Sequence, residues 1–278
     1  MIIWLASYPK SENTWIRIFL NNLFYSNEDP SNINSLKIGQ FPNRSHFSGL
    51  TDNLDDIKEF SENCINAQER LNLSTQFKFF KTHHAYWKSG KHTFTNNTNS
   101  LGVIYVVRDP RNIITSIKNH YDFVDYNDAL NFLINDKNVI GLRHSSNEVD
   151  LPHIISSWKN HYNSWKKMEK NYLLIKYENL LENPLIEFKK ITNYLEKLID
   201  KKFEERKFFE SIDNCNFIKL KDQENKSGFI EAQRDKFGKV KPFFNLGPNN
   251  NWKKLLDKNI AKVLENEFYK EMSELNYI

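Results

Sequence analysis

Four runs of the sequence are apolar almost from end to end: IIWLAS (2–7), FKFFKTH (77–83), LGVIYVVR (101–108) and YLLIKYE (172–178). A strand that alternates apolar and polar residues has one wet face. A strand without alternation is covered on both faces, as in parallel sheets. Helical patterns separate these runs, at 14–25, 53–67, 110–121, 152–169, 184–197 and 255–275. Strands alternating with helices predict an α/β fold: a doubly wound, mainly parallel sheet with helices on both faces. Ligands of such sheets gather at the carboxyl ends of the strands. Each of the four runs ends in polar residues: Ser7, Lys81 to His83, Arg108, and Tyr177 with Glu178.

The rest of the composition narrows the function classes. At 278 residues the chain suits one domain, 1–278, with loop insertions at 26–52 and 122–151. A long loop inserted beside a site is a common form of lid. The formal net charge of +4 is too small to argue for a nucleic-acid partner, but it suits a local pocket for a polyanion. Cys64 and Cys215 stand far apart, with no metal-ligand spacing around them, and read as reduced thiols. MIIWLAS lacks a basic leader and is interrupted at once by polar residues, so it reads as a buried strand and not as a signal sequence. No run approaches the roughly 20 apolar residues of a membrane span. A cytoplasmic location is the expectation, and oligomeric state is not legible.

Three stretches carry chemistry. The first is SYPKSENTW, Ser7 to Trp15, lying between a strand and a helix. Such a loop aims backbone N–H groups at one spot, and the helix dipole adds positive potential there. Lys10 supplies a full charge, while Ser11, Asn13 and Thr14 supply short donors. The GxxxxGK[ST] pattern is absent, and with it the usual Mg²⁺-binding hydroxyl, so the loop suits a phosphate better than a metal-bound triphosphate. Its plainer reading is a solvated turn in which Asn13 or Thr14 caps the helix. The second stretch is VVRDPRNIITSIKNHY (106–121), where Arg108 ends a strand and Arg111 and Ser116 fall on the next helix. An arginine fork with a serine hydroxyl makes an anion site; the plainer reading is a surface arginine paired with Asp109. The third is FFKTHHAYWK (79–88), whose pleat puts Lys81 and His83 on one side of a strand end. A histidine there can accept a proton near neutral pH.

In this order, these stretches resemble the sulfotransferase family that uses the sulfate donor PAPS (3′-phosphoadenosine 5′-phosphosulfate). SYPKSENTW resembles that family's 5′-phosphosulfate loop, usually YPKSGTTW or YPKSGNTW. RDPRNIITS (108–116) is similar to its 3′-phosphate motif, KTH (81–83) to the strand end bearing its catalytic histidine, and KYENLLENP (176–184) to its "YEDL…DP" segment. The resemblance runs from residue 2 to about 200. It implies sulfuryl transfer to a hydroxyl or amine acceptor by in-line displacement, with PAP as product and no metal. It also implies roles. Lys10 would contact the bridging oxygen of the donor, and Ser11, Glu12, Asn13 and Thr14 would line the 5′-phosphate. Trp15 would stack on adenine and Tyr177 would touch its edge. Arg108 and Ser116 would grip the 3′-phosphate. His83 would be the base, with Lys81 on the sulfuryl oxygens. The acceptor would be a small molecule or a glycan; Tyr86, Trp87, Tyr121, Phe123 and Trp158 could line its pocket or simply be core.

The sequence departs from the family pattern at two places. Glu12 stands where the loop normally has glycine, and its side chain is expected to point outward. The family's RKGxxGxW motif is matched best by FFNLGPNNNWKKLL (243–256), which keeps Gly247 and Trp252 but has Asn245 and Leu246 in place of Arg-Lys. Arg234, Lys239, Lys241 and Lys253 are the candidates to compensate. His84, beside His83, competes for the role of base. Two other classes remain open at this point: a small-molecule kinase on a related phosphate-loop fold, and a nucleotide-binding module without catalysis.

Overall fold

A computed structural model describes residues 1–25, 32–73, 76–141, 151–168, 171–235 and 237–278. The chain forms two compact units, each assembled from three separate segments. The first comprises 1–11, 39–107 and 132–175, and the second 12–38, 108–131 and 176–278. Parts of both expected insertions, 26–31 and 142–150, lie outside the described residues.

The first unit holds the sheet. Its strands are β1 (Ile2–Ser7), β2 (Gly39–Gln40), β3 (Lys78–Thr82), β6 (Ser100–Val107) and β9 (Tyr172–Lys176), in the order β2-β3-β1-β6-β9. β1 pairs in parallel with both β3 and β6, and β2 in parallel with β3. All six residues of β1 are buried, which is why its sequence does not alternate. From β1 the chain first winds to one side, to β3, and then to the other, to β6. The carboxyl end of β1 is therefore the topological switch point of the sheet, the place where ligands bind in open α/β sheets. Trp4 anchors the interior, wholly buried against Phe94 (centroids 5.1 Å apart), Phe41 (5.5 Å) and Trp165 (6.3 Å). Its indole N–H donates to Ser100 Oγ at 2.7 Å, a bond worth about 1 kcal/mol net that would cost more if left unmade. This unit also contains the hairpin β4–β5 (Lys88–Ser89, His92–Thr93), the pair β7–β8 (Val139–Ile140, His153–Ile154), α2 (Ile57–Leu71) and α5 (Trp158–Trp165).

The second unit is helical: α1 (Asn13–Phe24), α3 (Pro110–His120), α6 (Tyr177–Glu182), α7 (Pro184–Ile199), α8 (Glu205–Asn214), α9 (Phe217–Ser227), α10 (Trp252–Leu255), α11 (Lys258–Glu267) and α12 (Tyr269–Glu274). α4 (Tyr126–Ile134) carries the chain from this unit into the first. Phe19 of α1 stacks on Phe188 of α7 at 4.2 Å and meets Phe208 of α8 edge-on at 6.1 Å. Among the described residues, no helix is long and apolar enough to cross a membrane.

The four strands and most helices lie where the sequence places them; the differences have local causes. The pattern at 152–169 becomes the short strand β8 followed by α5. Ser156 takes a left-handed backbone (φ 60°), and the Ser157 hydroxyl caps Asn160 N, so a helix can begin only after it. The predicted helix at 53–67 starts later, at Ile57, because Asp56 caps Lys58 N and Glu59 N. α8 and α9 were not anticipated: their buried positions, Phe208 and Ser211, then Leu220 and Glu224, make too thin a stripe to read in a charged background.

Candidate active site

Each unit carries part of the residue set singled out from the sequence. The first unit holds Lys10, Ser11, Lys81 and His83. β1 runs at the switch point into a loop where Lys10 and Glu12 both adopt left-handed backbones, each at φ 66°, while Ser11 between them does not. Left-handed residues at a strand-to-helix turn are the kind of backbone from which anion-binding nests are built. Ser11 N donates to Tyr8 O at 3.3 Å. The Ser11 Oγ, 1% exposed as a residue, has no hydrogen-bond partner. A buried hydroxyl left this way costs about 1–3 kcal/mol. A ligand oxygen would relieve that cost, so the residues present fit an anionic group here.

Lys81, buried in β3, and His83, half-buried just beyond it, stand at the neighbouring strand end. His83 Nδ1 lies 2.9 Å from the carbonyl oxygen of Ser7. A carbonyl can only accept, so Nδ1 carries the hydrogen in the neutral ring and Nε2 keeps the lone pair. The His83 backbone is held as well. His161 Nε2 donates to His83 O at 3.1 Å, while His161 Nδ1 accepts from the Tyr105 hydroxyl at 2.8 Å. Sequence reasoning missed His161, since a lone histidine within a helical pattern looks like any core residue. His84 is not placed to be the base. Its Nδ1 accepts from Trp87 Nε1 (3.1 Å) and Ile154 N (3.2 Å), and the ring is wholly buried, stacked between Phe94 and His153 at 4.8 Å each. Of the aromatic residues considered for an acceptor pocket, Trp158 is core, 1% exposed and stacked on Tyr162.

Burial drives all four of these histidines toward the neutral form. His83 and His84 are pushed well below 6.5, His83 with a further contribution from Lys81. His153, which accepts from the Gln40 amide, is lowered to about 4, and His161 to about 3. Below about 6.5 the unfolded chain binds protons that these folded rings refuse, so stability falls with pH. Each ring takes away about 1.4 kcal/mol per pH unit until its folded value is reached. Urea midpoints are therefore expected to be level above pH 7 and to fall steeply from pH 6 toward 4. Equal midpoints at pH 7 and pH 5 would show that the rings are not held neutral.

The second unit holds Glu12, Asn13, Thr14, Trp15, Arg108, Ser116, Tyr177 and Gly247. Asn13 and Thr14 are buried at the start of α1, and the N-cap residue, Glu12, offers no side chain to the first-turn amides. Those amides and the helix dipole make a positive end. The Glu12 side chain does not point outward as expected: its Oε1 lies 3.2 Å from Arg108 Nη1. The physical reason is the Arg108 guanidinium, 1% exposed, whose charge attracts the carboxylate. Arg108 also stacks over the Tyr177 ring at 4.3 Å. Trp15 meets Tyr177 edge-on at 6.5 Å and Phe188 at 5.8 Å. Tyr177 opens α6 and does not end a strand, although its neighbour Lys176 does.

Ser116 projects from α3 to a residue that sequence reasoning missed. Asn250 Nδ2 donates to Ser116 Oγ (3.1 Å) and Asn112 O (2.9 Å), and its own Oδ1 is buried without a partner. Gly247 is required by packing: its φ is +49°, and a Cβ there would lie 2.3 Å from the Phe217 ring. Of the basic candidates, Lys241 binds Asn119 O and Asp122, Arg234 binds Gly238 O, and Lys253 lies near the Trp252 ring. Lys239 is exposed, its backbone N–H bonded to Asp235. Arg111 is neither a surface group nor an open anion site. It binds Asp109, Glu265 and Tyr277 O, and lies 4.0 Å over the Trp252 ring. Among the described residues, no group of three or more His, Cys, Asp or Glu is arranged to hold a metal ion.

A family model described as "Sulfotransferase domain" matches residues 2–276, nearly the whole chain. The chain belongs to the sulfotransferase family. Sulfotransferase 1 family member D1 of Mus musculus is 24% identical to it, over 98% of this chain and 83% of the relative. Flavonol 3-sulfotransferase of Flaveria bidentis is 25% identical, over 94% and 78% respectively. Mouse sulfotransferase SULT7A1, solved in complex with PAP, superposes with a TM-score of 0.59 at 18% identity, covering 97% of this chain and 83% of that one. This sulfotransferase chain thus shares the α/β fold of that structure, as the strand pattern predicts.

Proposed function

We propose that this sulfotransferase moves the sulfuryl group of PAPS to a hydroxyl or amine of a small-molecule acceptor, with His83 as general base. The observation that carries the reading is the hydrogen bond from His83 Nδ1 to Ser7 O, which leaves Nε2 as the proton-accepting atom at the switch point of the sheet. Burial and Lys81 keep that ring neutral, so it is ready to accept at neutral pH. When bound, PAPS supplies the sulfuryl group and a 5′-phosphate leaving group, and PAP is the product. His83 Nε2 takes the acceptor proton as the acceptor oxygen closes on sulfur. The electron pair of the breaking S–O bond goes to the 5′-phosphate oxygen, where Lys10 balances the new charge. Such a displacement depends on positioning and charge stabilisation more than on covalent help.

The binding roles follow the motifs. Ser11, whose buried Oγ has no partner among the described residues, joins Lys10 and the α1 amides at Asn13 and Thr14 in holding the 5′-phosphate. Trp15 and Tyr177 present an aromatic corner to adenine. Arg108 takes the 3′-phosphate with Ser116, and Asn250 orients the Ser116 hydroxyl. Lys81 faces the sulfuryl oxygens. Relatives named for luciferin and flavonol favour a small molecule over a glycan as acceptor.

Thermal unfolding with and without ligand tests the donor assignment. PAP at a hundred times its dissociation constant should raise Tm by about 5 °C, since binding at that level adds about 2.7 kcal/mol. Greater stabilisation by ATP with Mg²⁺ would overturn the reading in favour of a kinase.

A further inference from the structure

Glu12 combines two costs in one residue. It holds a left-handed backbone, φ 66° and ψ 33°, where a residue with a Cβ loses about 1–2 kcal/mol relative to glycine. It also places a carboxylate 3.2 Å from Arg108 Nη1, the group assigned above to a phosphate of the donor. The two partners differ in burial: the Arg108 side chain is 1% exposed and that of Glu12 27%. Arg108 is fixed, with its face on the Tyr177 ring at 4.3 Å. Glu12, in contrast, retains access to solvent and can turn away.

We infer that Glu12 is a built-in competitor for the phosphate that Arg108 receives, lowering affinity for donor and product alike. The Glu12 carboxylate presents the charge and the oxygen acceptors that a phosphate would bring. A phosphate arriving at Arg108 must displace Glu12 or sit against a like charge, and both lower its affinity. When product leaves, Glu12 returns to the buried guanidinium and takes up the ion pair again. Product release is thereby eased. Glycine at this position offers no such group, and Glu12 sets the discrimination between nucleotides with and without a 3′-phosphate.

This inference rests on the assignment of Arg108 to the 3′-phosphate, and the test separates the two. Titration calorimetry would compare PAP with adenosine 5′-phosphate, which lacks the 3′-phosphate, on the unaltered chain, Glu12→Gln and Glu12→Gly. Both variants are expected to bind PAP about tenfold more tightly, about 1.4 kcal/mol, and Glu12→Gln, which keeps a residue with a Cβ in the loop, to change affinity for adenosine 5′-phosphate less than twofold. Unchanged or weaker PAP binding in both variants, with folding verified by Tm, would overturn the inference and leave PAP recognition standing. Equal tightening of both nucleotides would also overturn it, since Glu12 would then act elsewhere than at the 3′-phosphate. No binding of PAP to the unaltered chain would overturn both.

Discussion

Replacement of His83 by alanine is expected to lower the rate of sulfuryl transfer by about 10²–10⁴-fold, the range for loss of a positioned general base. PAP affinity should stay within about twofold, because the assigned phosphate contacts are made by Lys10, Ser11, Arg108 and the α1 amides. The separation of effects follows from the hydrogen bonding. His83 sends its Nδ1–H to Ser7 O and retains Nε2 for chemistry, so the variant loses a proton acceptor and one bond to a carbonyl. The folded-state value of the ring lies well below 6.5. The transfer rate of the unaltered chain should therefore be level from pH 7 to pH 8 and fall only in acid, as the ring takes a proton. Initial rates with a generic phenol acceptor, together with PAP binding by calorimetry, measure both effects. Full transfer activity in His83→Ala would remove His83 from the mechanism.

The second large effect is expected at Lys10. Lys10→Met keeps an unbranched stem one atom shorter than lysine, on the same left-handed backbone of a residue with a Cβ, and removes the charged ammonium. If Lys10 balances charge on the leaving oxygen, its loss acts on the transition state more than on bound substrate. The expected loss is about 10²–10³-fold in kcat, the size seen when a preorganised electrostatic donor is removed. KM for the acceptor should be nearly unchanged. A variant that kept kcat within threefold and raised only the KM for PAPS would make Lys10 a binding group alone.

The parts of this protein legible in its sequence are those where one residue type has one physical solution. β1, β3 and β6 are apolar runs buried almost end to end, and an unbroken apolar run between turn signals reads as a strand covered on both faces. The strand-to-helix turn around Lys10 was visible because an apolar run, a short polar stretch and a helical pattern follow one another so closely. Less legible were features settled by partners far along the chain. The direction of Glu12 depends on Arg108, 96 positions away. Asn250 could not be found from spacing, because only the fold brings it to Ser116, 134 residues distant. His161 and His84 look alike in sequence, yet one supports the backbone of His83 and the other lies in an aromatic stack. Arg111 read as a possible anion ligand, since the groups that occupy it, Glu265 and Tyr277 O, come more than 150 residues later.

Arg111 also bears on how this sequence can change. Residues beyond a last helix are usually among the most permissive positions of a domain. Here Leu275 O receives Lys176 Nζ, the Tyr277 hydroxyl donates to Glu178, and Tyr277 O receives Arg111. The positions after α12 are therefore fastened to both α3 and the start of α6, the two helices that present Ser116 and Tyr177. Variation that would be neutral in a loose tail is here transmitted to those two helices, and the freedom to drift moves elsewhere, to exposed residues such as Val124 and Leu73.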